Sequence, residues 1–434
     1  MVLIYVSRIT SRNNFIFKLF FKEILGLPYQ LTTQIESFTQ YQGPKLSYCR
    51  TALCDELFFS ATGLLFETGI VVQETEPVIY QGKRYFYPTH RSSSLPFDPF
   101  AAAFFLVSRY EEYLPHIKDQ HGRFSSSQSL AVLYGFIEEP VVNQWALLVL
   151  ELLEKKYGTL KRQGLTYRFE PTIDIDNAWA FQHKGFIRAG AGLIGDLINL
   201  KIRHFFERLF VLLHLRNDPY DTYEYQLSLT EKYGLSPIYF FLLGDFSTYD
   251  RNVPYQNKQF QSLIKYLDDI GKVGIHPSYA SNGSVLQLKK EISRLSFILH
   301  REIRLSRQHF LKLSLPETYQ RLVDCDITDD YTMGYADRVG FRAGMASPFF
   351  FYDLDLEIET SLKIHPFAVM DGTLKDYMRI QPENALSVIR PIIEQIKKVN
   401  GTFISVWHNE SFAENERWRG WRKVYEDLIL EART

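Results

Sequence analysis

The stretch Thr172-Ile173-Asp174-Ile175-Asp176-Asn177 puts two carboxylates two residues apart, at the end of an apolar segment, Leu165 to Ile175, that reads as a buried strand. Side chains alternate along a strand, so Asp174 and Asp176 share a face and project together from its end. Two such acids repel unless something cationic sits between them. A divalent metal, with one carboxylate as ligand and the other free as a base, is one resolution; a buried pair sharing a proton is the other.

From residue 166 onward the sequence repeats strand, loop and helix. The apparent strands are LTYRFEPTIDI, SPIYFFLLG, KVGIHPSY, IRLSRQHFLKL, RVGFRAG, SLKIHPFAVM and GTFISVWHN, each followed by a polar turn or a helix-like run. Such alternation predicts parallel strands joined by crossover helices. No glycine-rich turn follows Asp176, and seven such units approach the size of a closed barrel, so the expected fold class is α/β with a (β/α)7-type barrel over residues 166–434. Residues 1–165 read as a smaller α+β domain. It has a hairpin at Gly82, a helix capped by Asp98 with Pro99 at its first position, and a last helix that ends in Lys155, Lys156 and Gly158.

In barrel enzymes the chemistry sits at the C-terminal ends of strands. Here those ends carry Asp174 and Asp176, His276, Arg307 and His309, Arg342, Asp371 and His408. A single histidine or arginine at a strand end is ordinarily a structural residue or a surface ion-pair partner. Such groups gathered at successive strand ends together point to a site.

Composition narrows the classes. With 434 residues, a hydrophobic share of 46% and 34 Phe beside 27 Tyr, the chain has the makings of a well-filled interior. Lys plus Arg number 49 against 50 Asp plus Glu, a net charge of -1, which leaves no footprint for nucleic acid. Cys49, Cys54 and Cys325 form no CxxC pair, which favours a reducing compartment and makes the cytoplasm the default expectation. The N-terminal run is interrupted by Arg8, Arg12, Asn13 and Asn14 and does not fit a signal sequence. The segment from Leu193 to Leu215 is rich in Leu and Phe but carries Asp196, Lys201, Arg203, Glu207 and Arg208, so it reads as a half-buried or membrane-surface helix rather than a span.

The segments TIDIDNAW, VGIHPSY, GFRAGMASPF, MDGTL and ISVWHN, in this order, resemble the successive motifs of the polysaccharide deacetylase family, metal-dependent carbohydrate esterases with a distorted (β/α) barrel. Phrases such as FFLLGDFSTYDRN, SRQHFLKL, DYTMGYAD and WHNESF look like a bacterial subgroup with an additional N-terminal domain. The resemblance implies Asp176 as metal-binding acid, Asp174 as general base and His276 as first metal histidine. Four residues on, where the family has its second metal histidine, stands Ala280; His309 at the next strand end is the expected replacement, completing an Asp-His-His set. The metal expected is divalent, zinc first, with nickel and cobalt chemically compatible.

The same resemblance implies Arg342 as the partner of the base and Asp371 as the group orienting His408, the general acid. Arg307, Tyr279 and Trp407 are expected substrate contacts, the aromatics, with Trp179 beside another motif, by stacking on a sugar ring. The implied activity is hydrolysis of an acetyl or similar acyl group on an amino sugar or glycan. Two other readings stand beside it: an inactive barrel that binds glycan or serves as a scaffold, motivated by Ala280, and an amidase acting on a non-sugar C–N bond.

Overall fold

The computed structural model describes residues 1–433. Strands β1 (Val2–Val6), β2 (Tyr29–Thr32), β3 (Lys45–Cys49) and β4 (Leu57–Ser60) form a parallel sheet in the order β2-β1-β3-β4. β5 (Pro77–Tyr80) and β6 (Lys83–Phe86) make the expected hairpin, turned by Gln81 and Gly82, both at positive φ. Asp98 caps the helix Pro99–Val107 by accepting from the backbone N–H groups of Phe100 and Ala101, and every residue of that helix is buried.

The second sheet is built from β7 (Arg168–Ile175), β8 (Ile238–Phe241), β9 (Lys272–Ile275), β10 (Leu305–Ser306), β11 (Asp329–Asp330), β12 (Phe349–Asp353), β13 (Ile358–Ile364), β14 (Val369–Met370) and β15 (Thr402–His408). Its order is β12-β13-β11-β10-β9-β8-β7-β15-β14, with every neighbouring pair parallel except β12 with β13. Apart from the antiparallel β12, the strands run around the sheet in cyclic chain order. Among the described residues, no hydrogen-bonded ladder joins β13 to β14, so the sheet has two edges.

Two sequence expectations change here. RVGFRAG is not a strand: Gly340 has φ +121, and a Cβ there would lie 2.4 Å from the carbonyl oxygen of Ile137. Phe341 N–H instead donates to that carbonyl, so the segment is laid against the N-terminal part of the chain. SLKIHPFAVM divides between β13 and β14, and β11 comes from a stretch too short to show periodicity. One apolar cluster runs through both parts of the chain, as where Phe15 and Phe104 pack on Tyr352 with centroids at 5.0 and 5.1 Å.

Candidate metal centre and cleft

Parallel strands release their site residues at one end of the sheet. β7 ends at Asp174 and Asp176, β9 runs into His276, β10 into Arg307 and His309, β14 into Asp371, and β15 ends at His408, which is paired in register with Asp174. The shared face expected of the two acids is present: His276 Nε2 is 3.1 Å from Asp176 Oδ1 and 3.8 Å from Asp174 Oδ2.

Asp176, His276 and His309 converge, with one donor atom from each lying within 4.8 Å of the others. The orientation of both rings is set from behind. His276 Nδ1 bonds the carbonyl oxygen of Arg307, and His309 Nδ1 lies 2.9 Å from Asp250 Oδ1. Each Nδ1 is thereby engaged from behind, which leaves the Nε2 atoms of both rings on the side of Asp176. His309 Nε2 is 3.4 Å from Asp176 Oδ2.

Asp176 Oδ1 is buried and has no hydrogen-bond partner, although His276 Nε2 lies 3.1 Å away. A buried, unpartnered carboxylate oxygen gathered with two imidazole nitrogens calls for a cation. Ligands held about 2.1 Å from a tetrahedral ion stand about 3.4 Å apart, close to the spacings here, so the residues fit a divalent metal. A proton is the alternative occupant. Burial opposes a charge on His309, yet the carboxylates of Asp176 and Asp250 outweigh it and lift its pKa to about 9. Burial likewise opposes the charge of Asp176, but the two imidazoles hold its carboxyl well below the usual range.

Around this centre, Arg307 Nη1 donates to Asp174 Oδ1 at 2.8 Å. Arg307 is completely buried, with its guanidinium over the Phe240 ring, so it sits behind the acid rather than in front of a substrate. Opposite, His408 Nδ1 lies 2.7 Å from Asp371 Oδ1, and Ser411 and the His408 backbone N–H both donate to Asp371 Oδ2. Burial works against protonating His408, but Asp371, with Asp176 and Asp174 beyond it, raises its pKa well above the ordinary value. His408 Nε2 points back toward Asp176, 3.7 Å from Oδ2.

Three expectations are corrected. Arg342 does not reach Asp174: it donates to both carboxylate oxygens of Glu112, at 2.9 and 2.6 Å, because its segment is docked on the N-terminal part. Arg307 takes the place beside Asp174 instead. Trp407 is fully buried and packs on Tyr425 and Trp421, since alternation along β15 sends it away from the face that His408 occupies. Tyr279 does not line the cleft: its ring is stacked on Tyr249 with centroids at 4.3 Å, and its backbone N–H donates to Asp250. Trp179 packs among His183, Tyr223 and Phe260.

The cleft over the centre encloses about 220 Å³, below the roughly 300–1,000 Å³ of sites that engulf a whole ligand. It therefore has room for one end of a substrate. Beyond the residues above, its walls include Arg123, Phe310, Tyr377, Glu410, Arg417 and Trp418. Arg123 arrives from the N-terminal part, donating to the Phe310 carbonyl at 2.7 Å and to the Tyr377 hydroxyl at 3.2 Å. Phe310 and Leu311 both have positive φ, so that donation braces a strained turn directly after His309. Asp250, Glu410 and Trp418 are absent from the sequence expectations although FSTYDRN and WHNESF sit beside motif residues; only their folded position marks them.

Residues 2–158 match a family of unknown function, DUF7033. No curated protein matches the chain in sequence. Among solved structures, the polysaccharide deacetylase Bc1974 of Bacillus cereus is 10% identical, with 62% of this chain and 87% of that one covered at a TM-score of 0.29. BA3943 of Bacillus anthracis, described as a CE4 family pseudoenzyme, is 13% identical over 60% of this chain and 62% of its own, with a TM-score of 0.27. The carbohydrate deacetylase Agd3 is 8% identical, covering 99% of this chain and 84% of its own at a TM-score of 0.39.

Proposed function

We propose that this chain is a metal-dependent hydrolase that removes an acyl group, acetyl first, from the nitrogen of an amino sugar or glycan. The observation that carries the reading is the convergence of Asp176, His276 and His309, flanked by an arginine-held carboxylate on one side and a carboxylate-held imidazole on the other. The cyclic order of the parallel strands supports describing residues 166–434 as an opened (β/α) barrel that follows an N-terminal domain of residues 1–165.

Asp176, His276 and His309 would hold the cation, zinc before other late divalent ions, which when bound polarises an acyl carbonyl and acidifies water. The rest belongs to the protein. Asp174, kept in place by Arg307, accepts the proton of a water whose oxygen attacks the acyl carbon. His408, protonated and oriented by Asp371, donates to the amine nitrogen as the C–N bond breaks. The carboxylic acid and the free amine leave. Arg123, Tyr377 and Trp418 supply the walls against which a sugar ring can lie.

The test is acetate release from a panel of N-acetylated amino-sugar oligomers, with zinc, cobalt or nickel supplied to the stripped protein. Release that depends on metal and is lost in His309→Ala supports the proposal. Silence on every sugar with turnover of a small amide would move the substrate class. Silence throughout, with no bound metal, would leave a binding protein.

A further inference from the structure

The chain leaving β7 enters two helices, Phe186–Ile198 and Ile202–Leu212, folded back on each other. Asp196 ties them together, 2.8 Å from His204 Nδ1 and 2.7 Å from Arg208 Nε, and Gly192 lets the Arg208 side chain pass close by. Their outward faces are apolar. Ile187, Ile194 and Ile198 form a stripe along the first helix, and Ile202, Phe206 and Phe210 form one along the second; all are exposed, Ile187 at 89%. The connecting Leu200 is 81% exposed. An apolar surface this continuous is unusual on a chain whose remaining helices bury their apolar faces.

Charge indicates what covers it. Residues 184–216 carry six Lys and Arg against two acids, in a chain whose net charge is -1. One of the acids, Asp196, is already occupied inside the hairpin, whereas Lys201, Arg203 and Arg216 are exposed. Neither helix is long enough to span a bilayer, and no helix of the described residues is long and apolar enough to cross one. A second copy of the same cationic hairpin would be repelled. Short amphipathic helices with apolar stripes and basic flanks suit the boundary between acyl chains and anionic headgroups.

We infer that this hairpin docks the protein on an anionic membrane surface, with its isoleucine and phenylalanine stripes among the acyl chains and its basic residues among the headgroups. The location has a consequence. Arg203 Nη1 is 3.7 Å from Glu416 Oε2, next to Arg417 and Trp418 of the cleft wall, so docking seats the cleft beside the lipid.

The experiment is co-sedimentation of the full chain with vesicles of phosphatidylcholine alone and of an equimolar mixture with phosphatidylglycerol. The anionic vesicles are expected to pellet the protein at least about tenfold more strongly, and the double variant Lys201→Glu/Arg203→Glu to bind about 25-fold more weakly. Ile198→Asp/Phe206→Asp should lose binding while keeping the parental thermal unfolding curve. A Leu200→Trp protein should show a blue-shifted emission on the anionic vesicles, quenched by brominated lipid. Equal pelleting on both vesicles, binding indifferent to either double variant, or an indole that stays exposed to water would overturn the inference. So would a dimer in sedimentation that Ile198→Asp/Phe206→Asp dissolves in a protein that ignores vesicles.

Discussion

At the level of single residues, the proposed metal centre depends on atoms outside its ligand set. Asp250 and the Arg307 carbonyl fix which ring nitrogen of His309 and His276 faces Asp176. Replacing Asp250 by Asn removes the charge that steadies His309, and metal affinity is expected to fall about 10- to 100-fold, measured by competition with a chelator. His309→Ala should leave the purified protein without stoichiometric metal by elemental analysis. Asp371→Asn should act differently, lowering kcat by about 10²–10⁴ with bound metal unchanged, because it serves the acid and not the ligands. The proposed use of His309 rather than position 280 is understandable in these terms. Position 280 is exposed at the start of the turn 281–283, whereas His309 is buried and already aimed.

At the level of elements, strand alternation determines which members of a motif reach the cleft. In β15 it directs His408 to the site and Trp407 to the opposite side, against Tyr425. Trp407→Ala is therefore expected to cost about 3–5 kcal/mol in unfolding free energy. Trp407→Phe should leave KM unchanged; a several-fold rise in KM in a stably folded Trp407→Phe protein would return the residue to the substrate. Alternation was legible in TIDID because both acids lie on one strand. It was not legible in RVGFRAG, where an apolar, glycine-bearing run of seven residues reads equally as a strand or as a turn laid on another part of the chain. The pairing of Arg342 with Glu112 follows from that second choice.

At the level of the whole molecule, the two parts of the chain meet through buried charge. Arg109 and Arg342 both bond Glu112, and Arg109 also reaches Glu111 and the carbonyl of Arg342. Burial opposes ionisation of Glu112, but the two guanidiniums overcome it and bring its pKa to about 2. A carboxyl with a depressed folded pKa adds stability above its unfolded value, near 4.3, and loses that contribution as pH falls through the folded value. Part of the acid destabilisation between about pH 4 and 2 should accordingly vanish in Glu112→Gln, read from urea unfolding at several pH values. At neutral pH the same variant, with two buried arginines left short of a counter-charge, should be about 3–5 kcal/mol less stable. Since Arg123 crosses from the N-terminal part to brace the turn after His309, loosening this seam should also weaken metal binding.

Periodicity by itself determined the α/β class and the common face of Asp174 and Asp176, because a strand's period of two is a local property; the grouping of Asp176 with His276 and His309 came into view only through the resemblance to the polysaccharide deacetylase motifs. Which arginine holds Asp174, which side of β15 meets the cleft, and that Asp250 and Trp418 belong to it were decided only by tertiary structure. Those choices rest on long-range docking, Arg307 lying 133 residues from Asp174 and Asp250 59 from His309, and burial and pairing at such distances leave no trace in the neighbouring sequence.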